Sequence, residues 1–168
     1  MSAVRMGAFS WQRAIRTILW AGLVAGTLDL TAALIVYTRS GPAAIHLLQS
    51  IASGLIGKAA MDGGGATAVL GVACHYVIAT SWAAIYFAAS RRMSFLLEHP
   101  LVSGILYGGV VVYGVMNHIV VPLSAIGPRP FTLHGAIKAA IILVFCIGIP
   151  IAVIVQRFAA LDSRIDSE

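Results

Sequence analysis

A chain of 168 residues that is 60% hydrophobic and only 10% charged, with a mean hydropathy of +0.94, excludes an ordinary soluble domain, in which about 25% of residues are charged. It fits a polytopic, all-α membrane protein with little mass outside the bilayer, and its length allows one transmembrane domain over 1–168. The formal charge of +5 does not point to nucleic acid. The 11 Lys and Arg are scattered singly or in pairs between apolar runs, where they suit lipid headgroups and topology signals.

Residues 1–14 are polar to amphipathic and carry Arg5 and Arg13, with Arg16 at the edge of the first apolar run. That run, about 15–37, is long enough to span at 1.5 Å per residue. A cleaved signal peptide is the rival reading of a basic start before an apolar stretch, but the apolar character continues past Asp29 through Ala32–Val36. Gly22 and Gly26 form a small-xxx-small pair that lets another helix approach closely.

Ser40-Gly41-Pro42 is a helix-start signal, with proline suited to the first turn. Over about 43–60 the pattern is amphipathic: His46, Gln49, Ser50 and Ser53 make a polar stripe, opposed by Ile45, Leu48, Ala52 and Leu55. This reads as an interfacial or re-entrant helix, not a span. Gly63-Gly64-Gly65 ends it as a hinge and lacks the lysine and serine of a phosphate-binding loop.

The second span, about 66–90, ends at Arg91-Arg92. The third, about 101–124, contains the pair Gly104/Gly108, and Pro122 is expected to bend its far end. Gly127-Pro128-Arg129-Pro130 is a stiff loop. The fourth span, about 133–155, holds Pro150 as an expected kink, and a charged tail follows from Asp162. Cys74 and Cys146 lie inside apolar runs as small packing residues, and no CxxC spacing occurs.

Seven basic residues (Arg5, Arg13, Arg16, Arg91, Arg92, Arg157, Arg164) fall on one side of these spans and four (Arg39, Lys58, Arg129, Lys138) on the other. The excess places both termini in the cytoplasm and the apolar runs in a lipid bilayer. Depth then follows from the outer span ends. Asp29 lies roughly 12 Å below Tyr37, His75 roughly 13 Å below Ala66, and His118 roughly 9 Å below Ser124. His134 opens the fourth span near the surface.

Polar groups at such depth are costly and usually face a protein interior or a water-filled cavity. The expected polar site is therefore Asp29, His75, Asn117, His118 and His134, with His46 and Gln49 of the amphipathic helix covering its entrance. Tyr107, Val111, Gly114 and His118 share one helical face, and His75, Ala79, Trp82 and Tyr86 another. Singly, each group also has a structural reading. Asp29 between Thr27 and Thr31 can be interhelical glue, His75 and His118 can be satisfied interhelical histidines, Asn117 a packing hydrogen bond, His134 an interfacial residue, and His46 and His99 surface residues.

Three histidines (His75, His118, His134) with a carboxylate suit a zinc- or copper-like ion through imidazole nitrogens. The same set suits proton transfer, because histidine titrates near neutral pH. Haem held by two histidines on different spans ranks lower. No HExxH, nucleophile elbow or kinase signature occurs, so bond rearrangement by an enzyme is not expected. The main rival reading is a non-enzymatic accessory or scaffold subunit. In it, one glycine pair serves the bundle, while the other serves a homo-oligomer or a membrane protein partner.

His75 in the second span, Asn117-His118 followed by Pro122-Leu123, and His134-Gly135 opening the last span together resemble the YagU-like family of small bacterial inner-membrane proteins, one of whose members is linked to acid resistance. The resemblance covers the chain from the second span to the fourth. It implies a four-span membrane protein and supplies no catalytic residues.

Overall fold

Four runs in the chain are too apolar to leave their backbone groups to water or lipid, and each satisfies them internally as a helix. The computed structural model describes residues 11–38, 44–127 and 130–165. Arg5, Arg39, Ser40-Gly41-Pro42, Pro128-Arg129 and the tail beyond 165 lie outside the described residues. In chain order the helices are α1 (Trp11–Thr38), α2 (Ala44–Ile56), α3 (Gly64–Ser90), α4 (Phe95–Glu98), α5 (Pro100–Leu123) and α6 (Leu133–Leu161, its last helical turn reaching Ile165). α1, α3, α5 and α6 are each long and apolar enough to cross a membrane. The protein is an all-α polytopic membrane protein.

The four spans pack around a seam of small and aromatic side chains: Ala21 and Ala25 from α1, Trp82 and Tyr86 from α3, Tyr107 from α5, and Ile147 and Ile151 from α6. Leu19, Trp20, Val69, Val77, Val110 and Phe145 face outward. An apolar exterior around a small-residue interior suits a chain whose solvent is lipid. Ala79, Trp82 and Tyr86 are buried together as the shared face on α3 requires. Tyr107 donates its hydroxyl to the Trp82 carbonyl (2.7 Å), and Tyr86 reaches the Leu96 carbonyl (3.0 Å), which ties α3 to α5 and to the turn before it. At the same end the Arg16 guanidinium lies 5.3 Å from the centre of the Phe158 ring, which links α1 to α6.

Both glycine pairs serve contacts inside this bundle, which corrects the expectation that one was left for a partner. A Cβ on Gly22 would lie 2.7 Å from the Thr80 Cα, and one on Gly26 would lie 3.0 Å from the Tyr76 ring, so both belong to the α1–α3 crossing. A Cβ on Gly104 would lie 2.8 Å from the Ile149 Cα, and Gly108 meets Val144 and Leu143, so both belong to the α5–α6 crossing. Gly148 completes that crossing from the other side, against the Gly104 carbonyl.

The expected bends at Pro122 and Pro150 take a specific form. Each proline lacks an N–H and crowds the carbonyl four residues back, which is that of His118 or Cys146. Those residues sit within wider π-helical turns, Met116–Val120 and Val144–Gly148. A π turn accommodates the missing bond without breaking the helix. A third π segment, Tyr107–Val112, lies where Gly108 brings α5 against α6.

α2 is shorter than the 43–60 expected. It ends at Ile56 and continues as a 3-10 turn, Gly57–Met61. Gly57 at φ 67° and Gly64 at φ 56° reverse the chain into α3, a conformation that glycine adopts without penalty. α2 packs along the first half of α3 so closely that a Cβ on Gly71 would meet the Leu48 carbonyl oxygen. Its far end is fastened by the Ala125 N–H, which donates to the Gly54 carbonyl at 3.0 Å. That bond satisfies one of the carbonyls a helix C-terminus leaves open.

Candidate functional site

His75 stands on the face of α3 that meets α1, one turn before Ala79. Its Nε2 lies 2.8 Å from the Gly26 carbonyl, so Nε2 carries a proton and donates it to α1. Glycine at 26 is what allows the approach, since a side chain there would strike Tyr76 and Ala79. Asp29, almost one turn further along α1, brings Oδ2 to 4.0 Å from the same Nε2. The two side chains are 12% and 18% exposed. At 4.0 Å the carboxylate is beyond direct hydrogen-bond distance. Next to the pair, Thr27 donates to the Leu23 carbonyl (2.8 Å) and accepts from the Tyr76 hydroxyl (2.9 Å), a second polar tie between α1 and α3.

Asp29 and His75 form part of the wall of a cavity of about 300 Å³ between the spans. α3 adds Ile78 and Trp82, α5 adds Val112, Met116 and Val120, and α6 adds Leu143 and Ile147. α2 lies across it through Leu47, Ser50, Ile51 and Gly54, and Ser124 and Ile126 close the same end. The amphipathic helix therefore covers the cavity, but by a different face from the one expected. His46 is exposed, and Gln49 is 2% exposed in the α2–α3 seam, donating Nε2 to the Gly64 carbonyl at 3.1 Å. The polar stripe is partly a packing surface because the neighbour across from it is another helix, not water. Gln49 Oε1 is buried and has no hydrogen-bond partner.

His118 does not join Asp29 and His75. It lines a second hollow of about 460 Å³ with Asn117, Tyr113, Tyr37, Phe131 and Thr132. Asn117 is exposed and donates Nδ2 to the Tyr113 carbonyl of its own helix, one turn back (3.0 Å). His134 is exposed at the start of α6 and lines neither space. Among the described residues no group of three or more His, Cys, Asp and Glu could hold a metal ion. The expected three-histidine set is thus dispersed, and His75 and His118 do not face one space in which they could both ligate a haem.

The cause lies in α5. Tyr107 and His118 are eleven residues apart, about three turns of a regular α-helix, which would align them. One π segment, Tyr107–Val112, lies between them and a second, Met116–Val120, contains His118; each wider turn sets the following residues back by about one position, or about 100°. Val112, Met116 and Val120 take the cavity-facing positions, and His118 turns to the other hollow. Sequence reading also missed Ser124 and the Gly26 carbonyl. The only available signal for the carbonyl was a glycine almost one turn before a buried aspartate.

Comparison with protein-family models, with curated proteins and with solved structures returns no match.

Proposed function

We propose that this integral membrane protein handles protons through Asp29 and His75, and that the cavity beneath α2 is where the exchange occurs. The carrying observation is the Asp29 Oδ2–His75 Nε2 separation of 4.0 Å in the wall of a membrane-embedded cavity. A carboxylate and an imidazole this close can exchange a proton, because the imidazole has two ring nitrogens, one of which can take up a proton as the other releases one. Ionisable side chains inside a span are expensive, and those that occur usually mark such a path.

The proton reading is favoured over a metal centre because, among the described residues, no three or more of His, Cys, Asp and Glu are grouped so that they could hold a metal ion. The scaffold reading loses its main support because both glycine pairs lie at internal crossings. Orientation with both termini cytoplasmic and α2 outside is proposed on the distribution of basic residues, and membership of the YagU-like family, with the bacterial inner-membrane location it implies, on His75, Asn117-His118 and His134-Gly135.

The test is proton movement into proteoliposomes under an imposed pH gradient, followed by an internal pH dye. Wild-type protein should give a pH-dependent flux, Asp29→Asn and His75→Ala should each reduce it at least about 10-fold, as removal of an acid–base group does, and His118→Ala should leave it unchanged. Folded Asp29→Asn and His75→Ala proteins with wild-type flux would sink the reading. Elemental analysis of the same samples checks the metal alternative.

A further inference from the structure

The cavity is larger and more apolar than a proton path requires. About 300 Å³ is room for about ten waters at about 30 Å³ each, and it falls at the lower end of small-molecule pockets. Only four of its lining residues, Asp29, Ser50, His75 and Ser124, are polar. A wall of Leu, Ile, Val, Met and Trp side chains holds water poorly and an apolar molecule well.

The hydrogen-bonding inventory of those four residues decides the chemistry of such a molecule. Ser50 donates its hydroxyl proton to the Leu47 carbonyl (2.7 Å), and Ser124 donates its own to the Val121 carbonyl (2.7 Å). His75 donates Nε2–H to the Gly26 carbonyl (2.8 Å). What these groups still present to the cavity is acceptor capacity: the Asp29 carboxylate and the serine oxygens. The other side-chain donor on the wall is the Trp82 indole N–H. An anionic or purely acceptor head group would meet acceptors. A donor-rich cationic head would meet a carboxylate, with the Trp82 ring available to a cation on the same wall.

We infer that the cavity binds a lipophilic ammonium cation, its apolar body among Ile51, Ile78, Met116, Leu143 and Ile147 and its N–H groups on Asp29. The inference rests on the proton-handling reading, since the cation and the proton compete for one carboxylate. When Asp29 is protonated, the ammonium ion binds as the carboxyl proton leaves to water, so charge balances: one cation enters as one proton departs. The titratable groups facing Asp29 are His75 from α3 and Cys146 from α6, which stands close enough to feel its charge; α2 and α5 line the cavity with none. The shared chemistry, an ammonium head on an apolar body, exists both in free amines and in aminophospholipid headgroups. The cavity volume favours the free amine.

The test is calorimetric titration of the full chain in phosphatidylcholine nanodiscs with phenylbutylammonium, using phenylbutanol and phenylbutyrate as neutral and anionic molecules of the same body. Saturable ammonium binding should be at least about 10-fold tighter than alcohol binding, as a charge-assisted hydrogen bond implies. It should weaken by a similar factor in Asp29→Asn, weaken as pH falls, and release a proton in weak buffer. Ile51→Phe, which fills the cavity from α2, should also lose it. Displacement of the amine by added phosphatidylethanolamine would assign the same chemistry to a lipid head.

Alcohol binding as tight as ammonium binding, or ammonium binding untouched by Asp29→Asn, overturns the inference. So does the absence of saturable binding by monodisperse wild-type protein. If proton flux persists without amine binding, only this inference fails; if flux also fails to depend on Asp29 and His75, both readings fall.

Discussion

Replacing Gly71 by alanine should release α2 from the bundle. A Cβ at 71 would occupy the space of the Leu48 carbonyl oxygen, and that contact is backbone, so no side chain can turn aside. The helices must separate, and overpacking of this kind costs about 1–3 kcal/mol. Separation also stretches the Gln49 Nε2 bond to Gly64, now 3.1 Å, which adds about 1 kcal/mol. A total of about 2–4 kcal/mol off the local opening free energy of α2 raises its amide exchange about 30- to 700-fold. Hydrogen–deuterium exchange in nanodiscs should show this in peptides covering Ala44–Ile56 and not in those covering α6. Gly65→Ala is the control, because nothing lies within 4 Å of its added Cβ. Unchanged exchange of α2 in Gly71→Ala, with the protein folded, would refute the account of how the helix is held.

Gly22→Leu and Gly104→Leu should each lower the thermal stability of the protein and leave oligomer size in crosslinking unaltered, because both face internal crossings; a shift in oligomer size alone would restore a partner role. Tyr107→Phe removes the hydroxyl that the Trp82 carbonyl accepts, and should cost about 0.5–1.5 kcal/mol in a denaturant titration. Disrupting the α2 latch with Ala125→Pro removes the N–H that Gly54 accepts, so exchange should rise at residues 54–57 before it rises elsewhere. Cysteine introduced at Thr132 should react with an impermeant reagent added outside intact cells, and cysteine at Ser94 should not; the opposite pattern would invert the orientation.

The two halves of the candidate site differed in how far sequence could reach them. Asp29 and His75 were placed at similar depth from counting alone, and they meet, because α1 is regular over this stretch and a glycine one turn away permits contact. His118 was placed at a comparable depth with the same arithmetic, and it faces another hollow. Depth along a helix follows from 1.5 Å per residue, and small errors in the span ends matter little. Rotation about the helix axis accumulates about 100° per residue, so one π turn is enough to redirect a side chain.

The sequence by itself determined the membrane character, the four spans, the amphipathic helix between the first two and the break at Gly127; the amphipathic helix ends at Ile56, before Gly57, and not at Gly63–Gly65. Each follows from local composition: long apolar runs must bury their backbone bonds in helices, and glycines and prolines interrupt them. Tertiary structure alone decided which faces meet. Gly22/Gly26 and Gly104/Gly108 both read as close-packing faces, but only the packed bundle shows that Thr80 and Ile149 already occupy them. The stripe on α2 reads as the polar side of an interfacial or re-entrant helix whose His46 and Gln49 cover the entrance, and the packed bundle buries Gln49 against Gly64 while Leu47 and Ile51 cover the cavity. A helix pattern records that two sides differ; which neighbour each side meets depends on crossings set by residues far away in the chain.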